Sequence, residues 1–310
     1  MNKRLPTVTI GIPAYNEEKN IRRLLSNLLR QKEEGFVMQK IIVVDDGSTD
    51  RTYSLMQTMS DRRLVILKNN QRRGQGYSQN LIFEQAMSDV VVLLEADTLP
   101  VGVAYIGKLI APLTKRGLIG LVQGNLRAGQ SQTTIGKVLQ TQAEIFLRWE
   151  LKRKSNPALV ISSGRGGRAF SRAVYKRLRW PQHVLEDRYA TLWCQRKGFS
   201  VVWQRSAICL FRPEQTLNDF IRARNKIVSG YSSLLKYFGQ DAVAAMYTCP
   251  RQEMWLMAKE FAVAQPVYFL LYALMKIYAG MLSRPARFSD FWNLNYSTKS
   301  LSKVTSSQFS

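Results

Sequence analysis

Carboxylates stand directly behind three apolar runs of the sequence, each of which predicts a buried strand. The runs cover residues 8–12, 41–44 and 90–94. Glu17, Asp46 and Asp97 follow them. Because ligands of an open parallel sheet bind beyond the carboxyl ends of its strands, we expect these side chains along one edge of the sheet. Each alone would also fit a helix cap or a turn.

Clustered carboxylates in a strongly basic chain suggest a bound divalent cation. Oxygen ligands favour Mg²⁺ or Mn²⁺, which keep one or two protein carboxylates and complete their shell with phosphates and water. A nucleoside diphosphate would supply such phosphates. Arg72, Arg73 and Gly74 are candidates for contacting them, or they form only a solvated turn.

The elements that must position these residues alternate between strand and helix through residues 1–125. Ile21, Leu24, Leu25 and Leu28 recur at helical spacing, and we expect Asn16 to cap their helix. Continuous apolar strands between amphipathic helices predict a mostly parallel sheet covered on both faces. Further along, the pattern predicts a strand at 158–162 and a long basic helix at 216–238.

Composition excludes several classes of protein. The chain has 310 residues and is 45% hydrophobic, enough for one large domain or two small ones. Its three cysteines form no C-x-x-C pair, which argues against structural zinc, and its single histidine excludes a His-rich metal site. The net charge of +23 favours polyanions: phosphorylated substrates, anionic lipid or nucleic acid.

Residues 261–282 are apolar and contain one charged side chain, Lys276. This stretch is long enough to cross a bilayer, and a helix lying in the membrane plane or a core helix fits as well. With the basic surplus and no signal-peptide pattern at the N-terminus, it predicts attachment to the cytoplasmic face of the cell membrane. Residues 288–310 are typical of a polar tail.

Four motifs, in this order, resemble those of family 2 glycosyltransferases of the GT-A fold. They are PAYNEE from Pro13, VDDGSTD from Val44, the EAD variant of D-x-D from Glu95, and Glu186-Asp187. The resemblance implies an α/β, Rossmann-like catalytic domain over residues 1–230, with a nucleotide-binding half at about 1–125 and an acceptor half at about 126–230. A helical, membrane-associating region would follow at 231–287.

The family resemblance implies an inverting transfer of a sugar from a nucleotide sugar to an acceptor hydroxyl. A UDP-sugar is expected because Asp46 stands where the family reads a pyrimidine, while GDP and TDP remain open. Asp97 would bind Mn²⁺ or Mg²⁺, with Glu95 beside it, and Asp187 would be the general base. The other substrate-binding candidates are Pro13, Tyr15, Glu17, Arg73, Gly74, Arg165, Glu186, Arg224 and Lys226.

One departure from the family pattern bears on the product. Processive members carry Q-x-x-R-W after the base, whereas Ala223 and Ile227 replace its Gln and Trp here. Arg224 and Lys226 remain as candidates for holding the diphosphate. Because the Trp provides an aromatic surface for a growing sugar chain, its loss predicts a single addition. The acceptor would be a glycan, lipid-linked if the chain works at an anionic membrane surface.

Three alternatives stay open. Gly164 to Ala169 match G-x-G-x-x-A, a dinucleotide fingerprint, although the arginines of this loop (Arg165 and Arg168) also suit acceptor-side phosphate contacts. Basic runs interleaved with aromatics are compatible with nucleic-acid binding, but no known nucleic-acid motif is present and no such partner is expected. A catalytically inactive family member acting as a partner subunit is the third.

Overall fold

The structure, a computed structural model, describes residues 4–114, 117–152, 166–247, 249–282 and residue 298. The predicted strand at 158–162, Arg165 and nearly all of the predicted tail lie outside these residues. The strands are β1 (Thr7–Ala14), β2 (Val37–Asp45), β3 (Leu64–Lys68), β4 (Val90–Leu93), β5 (Thr98–Pro100), β6 (Ile119–Ala128), β7 (Arg168–Ser171) and β8 (Ser200–Phe211). The helices are α1 (Ile21–Leu29), α2 (Thr52–Gln57), α3 (Gln75–Gln85), α4 (Tyr105–Ile110), α5 (Thr134–Lys152), α6 (Arg172–Tyr175), α7 (Glu186–Arg196), α8 (Leu217–Phe238), α9 (Gln240–Tyr247), α10 (Arg251–Ala264) and α11 (Pro266–Leu282).

One eight-stranded sheet has the order β3-β2-β1-β4-β7-β6-β8-β5. The first four of these strands are parallel, as predicted. The prediction of a mostly parallel sheet is confirmed only in part: β6 pairs with β8 in parallel, but β7 runs antiparallel to both β4 and β6, and β5 runs antiparallel to β8. The sheet is therefore mixed, because two of its eight strands, β7 and β5, enter it from the opposite edge.

Helices cover both faces of the sheet and bury two apolar layers. On one face, α1, α2 and α4 pack against the even-numbered positions of β1, such as Ile10. On the other, α3 packs on β1 and β2 and α7 packs on β6 and β8, and residues of α8 and α9 join the same apolar cluster. The predicted leucine stripe of α1 is confirmed, but its N-cap position is Asn20 rather than Asn16. Asn16 instead has a φ of 53° and accepts a hydrogen bond from the backbone N–H of Thr49.

The C-terminal apolar stretch is divided between two helices. Gln265 ends α10 with a φ of −149°, and α11 starts afresh at Pro266. Within the described ranges, no helix combines the length and the apolar composition needed to cross a bilayer. One side of α11, including Met275, packs on α5 and α8.

Helix α8 passes very close to the start of α7. A Cβ added at Gly230 of α8 would lie 2.2 Å from Cγ of Leu185, the N-cap residue of α7. Since Leu185 immediately precedes Glu186-Asp187, this contact fixes where those two carboxyl groups stand. Only glycine leaves room for the Leu185 side chain at this point of α8.

We expect Gly230→Ala to destabilise the protein by about 1–2 kcal/mol, because overpacking at Leu185 outweighs the better helix propensity of alanine. Gly280→Ala is the matched control: Gly280 also lies within a helix, and an added Cβ there meets nothing within 4 Å. That control should be neutral or stabilise by up to about 1 kcal/mol. Urea unfolding measures both, and equal effects of the two substitutions would contradict the packing argument.

Candidate active site at the carboxyl edge of the sheet

The carboxylate of Asp46 organises the loop between β3 and α3. Its Oδ1 accepts hydrogen bonds from Asn69 Nδ2 at 2.7 Å and from the backbone N–H of Arg73 at 2.9 Å. Its Oδ2 accepts from the backbone N–H of Gly74 at 2.8 Å. Asp46 is 4% exposed, so these charge-assisted bonds are largely shielded from water. They hold the loop against the end of β2, where Gly47, with a φ of 75°, leaves room for the backbone of Arg72.

Aromatic rings at this edge are stacked with arginines. The guanidinium carbon of Arg72 lies 4.2 Å from the ring centre of Tyr15, and that of Arg73 lies 4.1 Å from the ring centre of Tyr77. A groove of about 470 Å³ is lined by Lys68, Asn69, Asn70, Gln71, Arg73 and Tyr77. Flat cationic and aromatic surfaces beside a groove suit a planar base and a phosphate chain.

Glu17 takes a more enclosed position than its neighbours. It is 3% exposed, its Oε2 accepts from Asn20 Nδ2 at 2.8 Å, and its backbone N–H donates to Thr52 Oγ1. These bonds join the end of β1 to the starts of α1 and α2. Pro13 and Tyr15 are half-buried on the same segment, so the segment from 13 to 17 lines the edge as predicted from the strand ends.

Glu95 and Asp97 form the turn between β4 and β5. Both are half-buried, and the backbone oxygen of Glu95 accepts from the Thr98 backbone N–H and hydroxyl. In the described part of the chain, no cluster of three or more potential ligands surrounds them. Two carboxylates in one turn fit Mg²⁺ or Mn²⁺, because these ions take their remaining ligands from phosphates and water.

Trp180 joins the elements on the other side of the site. Its indole N–H donates to the backbone oxygen of Glu186 at 2.8 Å, and its backbone groups exchange two hydrogen bonds with the Asn80 amide of α3. Its ring lies 4.9 Å from that of Phe83 and 6.0 Å from that of Phe170. The tryptophan thus fixes α7, with Glu186 and Asp187 in its first turn, to both α3 and β7.

The two carboxyl groups of this turn differ in their environment. Asp187 is half-buried, and its Oδ1 accepts from the Arg188 backbone N–H at 2.9 Å. Glu186 is 5% exposed, and burial raises its pKa to about 7 against the attraction of Lys226. Asp187 is therefore the more accessible of the two for accepting a proton from a substrate.

Arg224 and Lys226 turn away from each other on α8. Residues two apart on a helix project about 200° apart, so the two side chains leave α8 on nearly opposite sides. Lys226 is close enough to Glu186 for its positive charge to favour a lower pKa of that buried carboxyl. Arg224 is close enough to Tyr272 and Lys276 of α11 for its charge to favour lower pKa values there. The structure therefore brings Lys226 to the carboxylate pair and directs Arg224 to the C-terminal helix.

Sequence reasoning missed Asn69 and Gln79, both buried polar residues near this edge. No motif marks them, since a buried amide looks like any other polar residue in a sequence. The dinucleotide alternative is wrong: Gly166 and Gly167 lead directly into strand β7, not into a helix N-terminus. Such a fingerprint needs a helix there, because the helix N-terminus binds the pyrophosphate.

Comparison with known proteins agrees with this geometry. A model of the glycosyl transferase family 2 matches residues 9–179, more than half of the chain. The poly-beta-1,6-N-acetyl-D-glucosamine synthase of Staphylococcus aureus is 26% identical over 235 residues, which are 74% of this chain and 56% of the synthase. The probable glycosyltransferase YdaM of Bacillus subtilis is 27% identical over 77% of this chain and 58% of its own length. The chain thus spans little more than half of these relatives.

Solved structures share the fold at lower identity. The mannosyltransferase PcManGT of Pyrobaculum calidifontis, in complex with GDP-Man and Mn²⁺, has a TM-score of 0.59 at 19% identity and covers 88% of this chain and 85% of its own. Glucosyl-3-phosphoglycerate synthase of Mycobacterium tuberculosis, in complex with Mn²⁺, UDP and glucosyl-3-phosphoglycerate, has a TM-score of 0.56 at 20% identity over 76% of this chain and 80% of its own. The predicted GT-A-like α/β fold is confirmed.

The raised pKa of Glu186 makes stability depend on pH. The unfolded chain ionises this carboxyl near its ordinary value of 4.5, whereas the folded protein does so at about 7. The folded protein therefore loses stability as pH rises between these values, by up to about 3 kcal/mol. We expect Glu186→Gln to unfold at higher urea than the wild type at about pH 8 and to differ little at about pH 4.5.

The exposed Glu34 supplies the control for this measurement, and Glu34→Gln should change stability by less than about 0.5 kcal/mol at either pH. A Glu186→Gln variant that is less stable than the wild type at the higher pH would show that the ionised carboxylate is well solvated or paired.

Proposed function

The chain belongs to glycosyl transferase family 2, a family of nucleotide-sugar-dependent transferases, and from that membership we propose that it transfers one sugar from a UDP-sugar to a glycan acceptor, with inversion at the anomeric carbon. The observation that carries the proposal is the shared edge: the Asp46 loop, the Glu95–Asp97 turn and Asp187 all lie at the carboxyl ends of the parallel strands or facing them. This shared edge supports a donor, a metal and a base that act at one reacting centre.

The donor would bind along the Asp46 loop. The carboxylate of Asp46 accepts hydrogen bonds from the backbone N–H groups of Arg73 and Gly74. Asp46 would therefore shape the nucleotide pocket by fixing that loop. Tyr15 and Arg72 offer a stacked surface for the base. Arg73 lies in the groove wall, where its guanidinium suits the phosphates. Uracil is proposed over guanine and thymine from the family resemblance around Asp46.

Asp97 and Glu95 would hold Mn²⁺ or Mg²⁺ together with the donor phosphates. When bound, the metal neutralises the charge that develops on the departing diphosphate. The known complexes of PcManGT and of glucosyl-3-phosphoglycerate synthase contain Mn²⁺, which supports this proposal for a chain of the same fold. Both residues are half-buried in the turn that follows β4.

Asp187 would act as the general base. It would take the proton of the acceptor hydroxyl as that oxygen attacks the anomeric carbon, while the bond from that carbon to the diphosphate breaks. Attack from the face opposite the leaving group inverts the configuration. Thr191, one turn further along α7, donates to the Asp187 backbone oxygen and accepts from Gln123 of β6, which ties this turn to the sheet.

A single addition is proposed over polymerisation. Ile227, which stands where processive members carry Trp, is 40% exposed on α8 and offers no aromatic surface. The similarity to a polymer synthase favours the opposite outcome, and product length decides between them. A product extended by more than one sugar would overturn this part of the proposal.

We expect a substitution at Asp97 to impair donor binding and a substitution at Asp187 to impair turnover. Asp97→Asn should abolish Mn²⁺-dependent binding of the UDP-sugar, because the metal loses a charged ligand. Asp187→Asn should keep binding but slow donor hydrolysis, in which water replaces the acceptor, by at least about 100-fold. Calorimetry and UDP release measure these effects across UDP-, GDP- and TDP-sugars.

The exposed Asp241 gives the control, since Asp241→Asn should change neither quantity. Binding of a donor without turnover in the wild type would favour an inactive partner subunit. Absence of binding for every donor, with Mn²⁺ or with Mg²⁺, would contradict the transferase proposal for this chain as it stands.

Attachment to the cytoplasmic face of the cell membrane is also proposed, through α10 and α11 lying in the plane of the interface. The outer side of α11 exposes an apolar stripe at helical spacing: Val267, Leu270, Leu274, Ile277, Tyr278 and Met281. On α10, Trp255 is 62% exposed beside Lys259. Apolar and cationic side chains together suit an anionic lipid surface, where a lipid-linked acceptor would be presented.

We expect the wild type to bind vesicles containing phosphatidylglycerol more tightly than vesicles of phosphatidylcholine alone. The combined change Leu270→Ser, Leu274→Ser and Met281→Ser should weaken that binding at least about tenfold, because it removes buried apolar area from the interface. Leu118→Ser, at a residue 72% exposed next to β6, is the control and should have no effect. Vesicle sedimentation measures this, and failure of the wild type to bind either vesicle would reject the membrane proposal.

A further inference from the structure

Arg168 is a buried charged side chain that forms no ion pair with any other residue that the structure describes. It is the first residue of β7 and is 2% exposed, and among the same residues its Nη1 has no hydrogen-bond partner. Its guanidinium carbon lies 5.9 Å from the ring centres of both Phe170 and Trp180. Contacts at that distance are weak compensation for a desolvated cation, since an unpaired buried charge is strongly destabilising.

Gln79 is a second buried group of this kind, on the facing helix α3. It is 0% exposed, and within the described part of the chain neither its Nε2 nor its Oε1 makes a hydrogen bond. Native structures leave few buried side-chain polar atoms unpaired, so two atoms on one amide indicate a missing partner.

Topology places Gln79 and Arg168 at the same level of the molecule. The rings of Phe83 on α3 and Phe170 on β7 contact each other, with centres 5.2 Å apart. Gln79 lies one helical turn nearer the carboxyl edge than Phe83, about 5–6 Å, and Arg168 lies two strand residues nearer that edge than Phe170, about 7 Å. The two polar groups therefore lie at a similar level of the fold, one on α3 and the other on β7.

This place lies away from the proposed donor loop and beside the proposed base. In the sheet, the donor loop follows β2 and β3, whereas β7 lies on the opposite side of β4. Glu186, next to Asp187, is close enough to Arg168 for the two charges to attract each other. Trp180 contacts α3, α7 and β7, the three elements that carry these residues. Glu186 is a poor counter-ion, since burial outweighs the attraction of Arg168 and its pKa is raised.

We propose that Arg168 and Gln79 bind an anionic group of the acceptor, a phosphate or a carboxylate, close to the hydroxyl that Asp187 deprotonates. This inference rests on the proposed function for the identity of the ligand as acceptor. The guanidinium supplies charge and paired N–H donors, and the amide of Gln79 adds a further donor. The enzyme would then select an acidic acceptor over its neutral counterpart.

The test is calorimetric binding of inorganic phosphate, and separately of acetate, to the protein already saturated with UDP and Mg²⁺. Occupying the donor site first prevents the probe from binding where the diphosphate belongs. We expect the wild type to bind phosphate, acetate or both, and the stronger probe identifies the acidic group. Arg168→Gln should weaken that binding at least about tenfold, as expected for loss of a charged hydrogen bond.

Two further variants keep the test decisive if Arg168→Gln does not fold. Arg168→Lys keeps the charge but loses the paired donors, so it should weaken binding, and Gln79→Glu should weaken it through repulsion. Arg177→Gln and Gln57→Glu are matched exposed controls and should bind as the wild type does. Absence of probe binding to the wild type, or equal binding by all folded variants, would overturn the proposal.

The outcome separates this inference from the proposed function. If UDP does not bind, the donor assignment fails, and the same probes are then titrated without it. Loss of phosphate or acetate binding in Arg168→Lys and Gln79→Glu would still establish the anion site. If UDP binds but no anion does, the transferase assignment stands and the acidic acceptor is rejected.

Discussion

The reversal of one strand decides where the two halves of the site meet. Strand β7 runs antiparallel between β4 and β6, so that Arg168 at its start pairs with Leu93 at the end of β4. Residues entering β7 therefore lie at the same edge as residues leaving the parallel strands. With β7 parallel instead, its first residue would lie at the far edge, and Arg168 would be separated from the Glu95–Asp97 turn by the height of the sheet.

Trp180 converts that shared edge into a rigid arrangement. It hydrogen-bonds to α3 through Asn80 and to α7 through the Glu186 backbone, and it packs on β7 through Phe170. Edge-to-face and tilted ring contacts give such a cluster a preferred geometry as well as apolar burial. The positions of Glu186 and Asp187 relative to the sheet thus depend on the packing of an indole that does not itself need to touch a substrate.

Polar groups in this region violate the usual rule that buried polarity is paired. Arg168, Gln79 and Glu186 are each at least nine-tenths buried, and none of them is in a salt bridge within the ranges that the structure describes. By contrast, both carboxylate oxygens of the buried Asp46 accept hydrogen bonds that fix a loop. Sequences tend to break local rules where function requires it, and two of these exceptions, Arg168 and Glu186, are close to each other beside the proposed base.

The sequence by itself determined the first four strands, the helices between them and the placement of Glu17, Asp46 and Asp97 at strand ends, because hydrophobic periodicity is a local property. Its motifs also identified the family before the fold was known. Only the tertiary structure decided the antiparallel direction of β7, the break at Gln265 and the burial of Arg168. Strand direction and burial depend on contacts between residues distant in the chain, and no local pattern encodes which neighbour will cover a side chain.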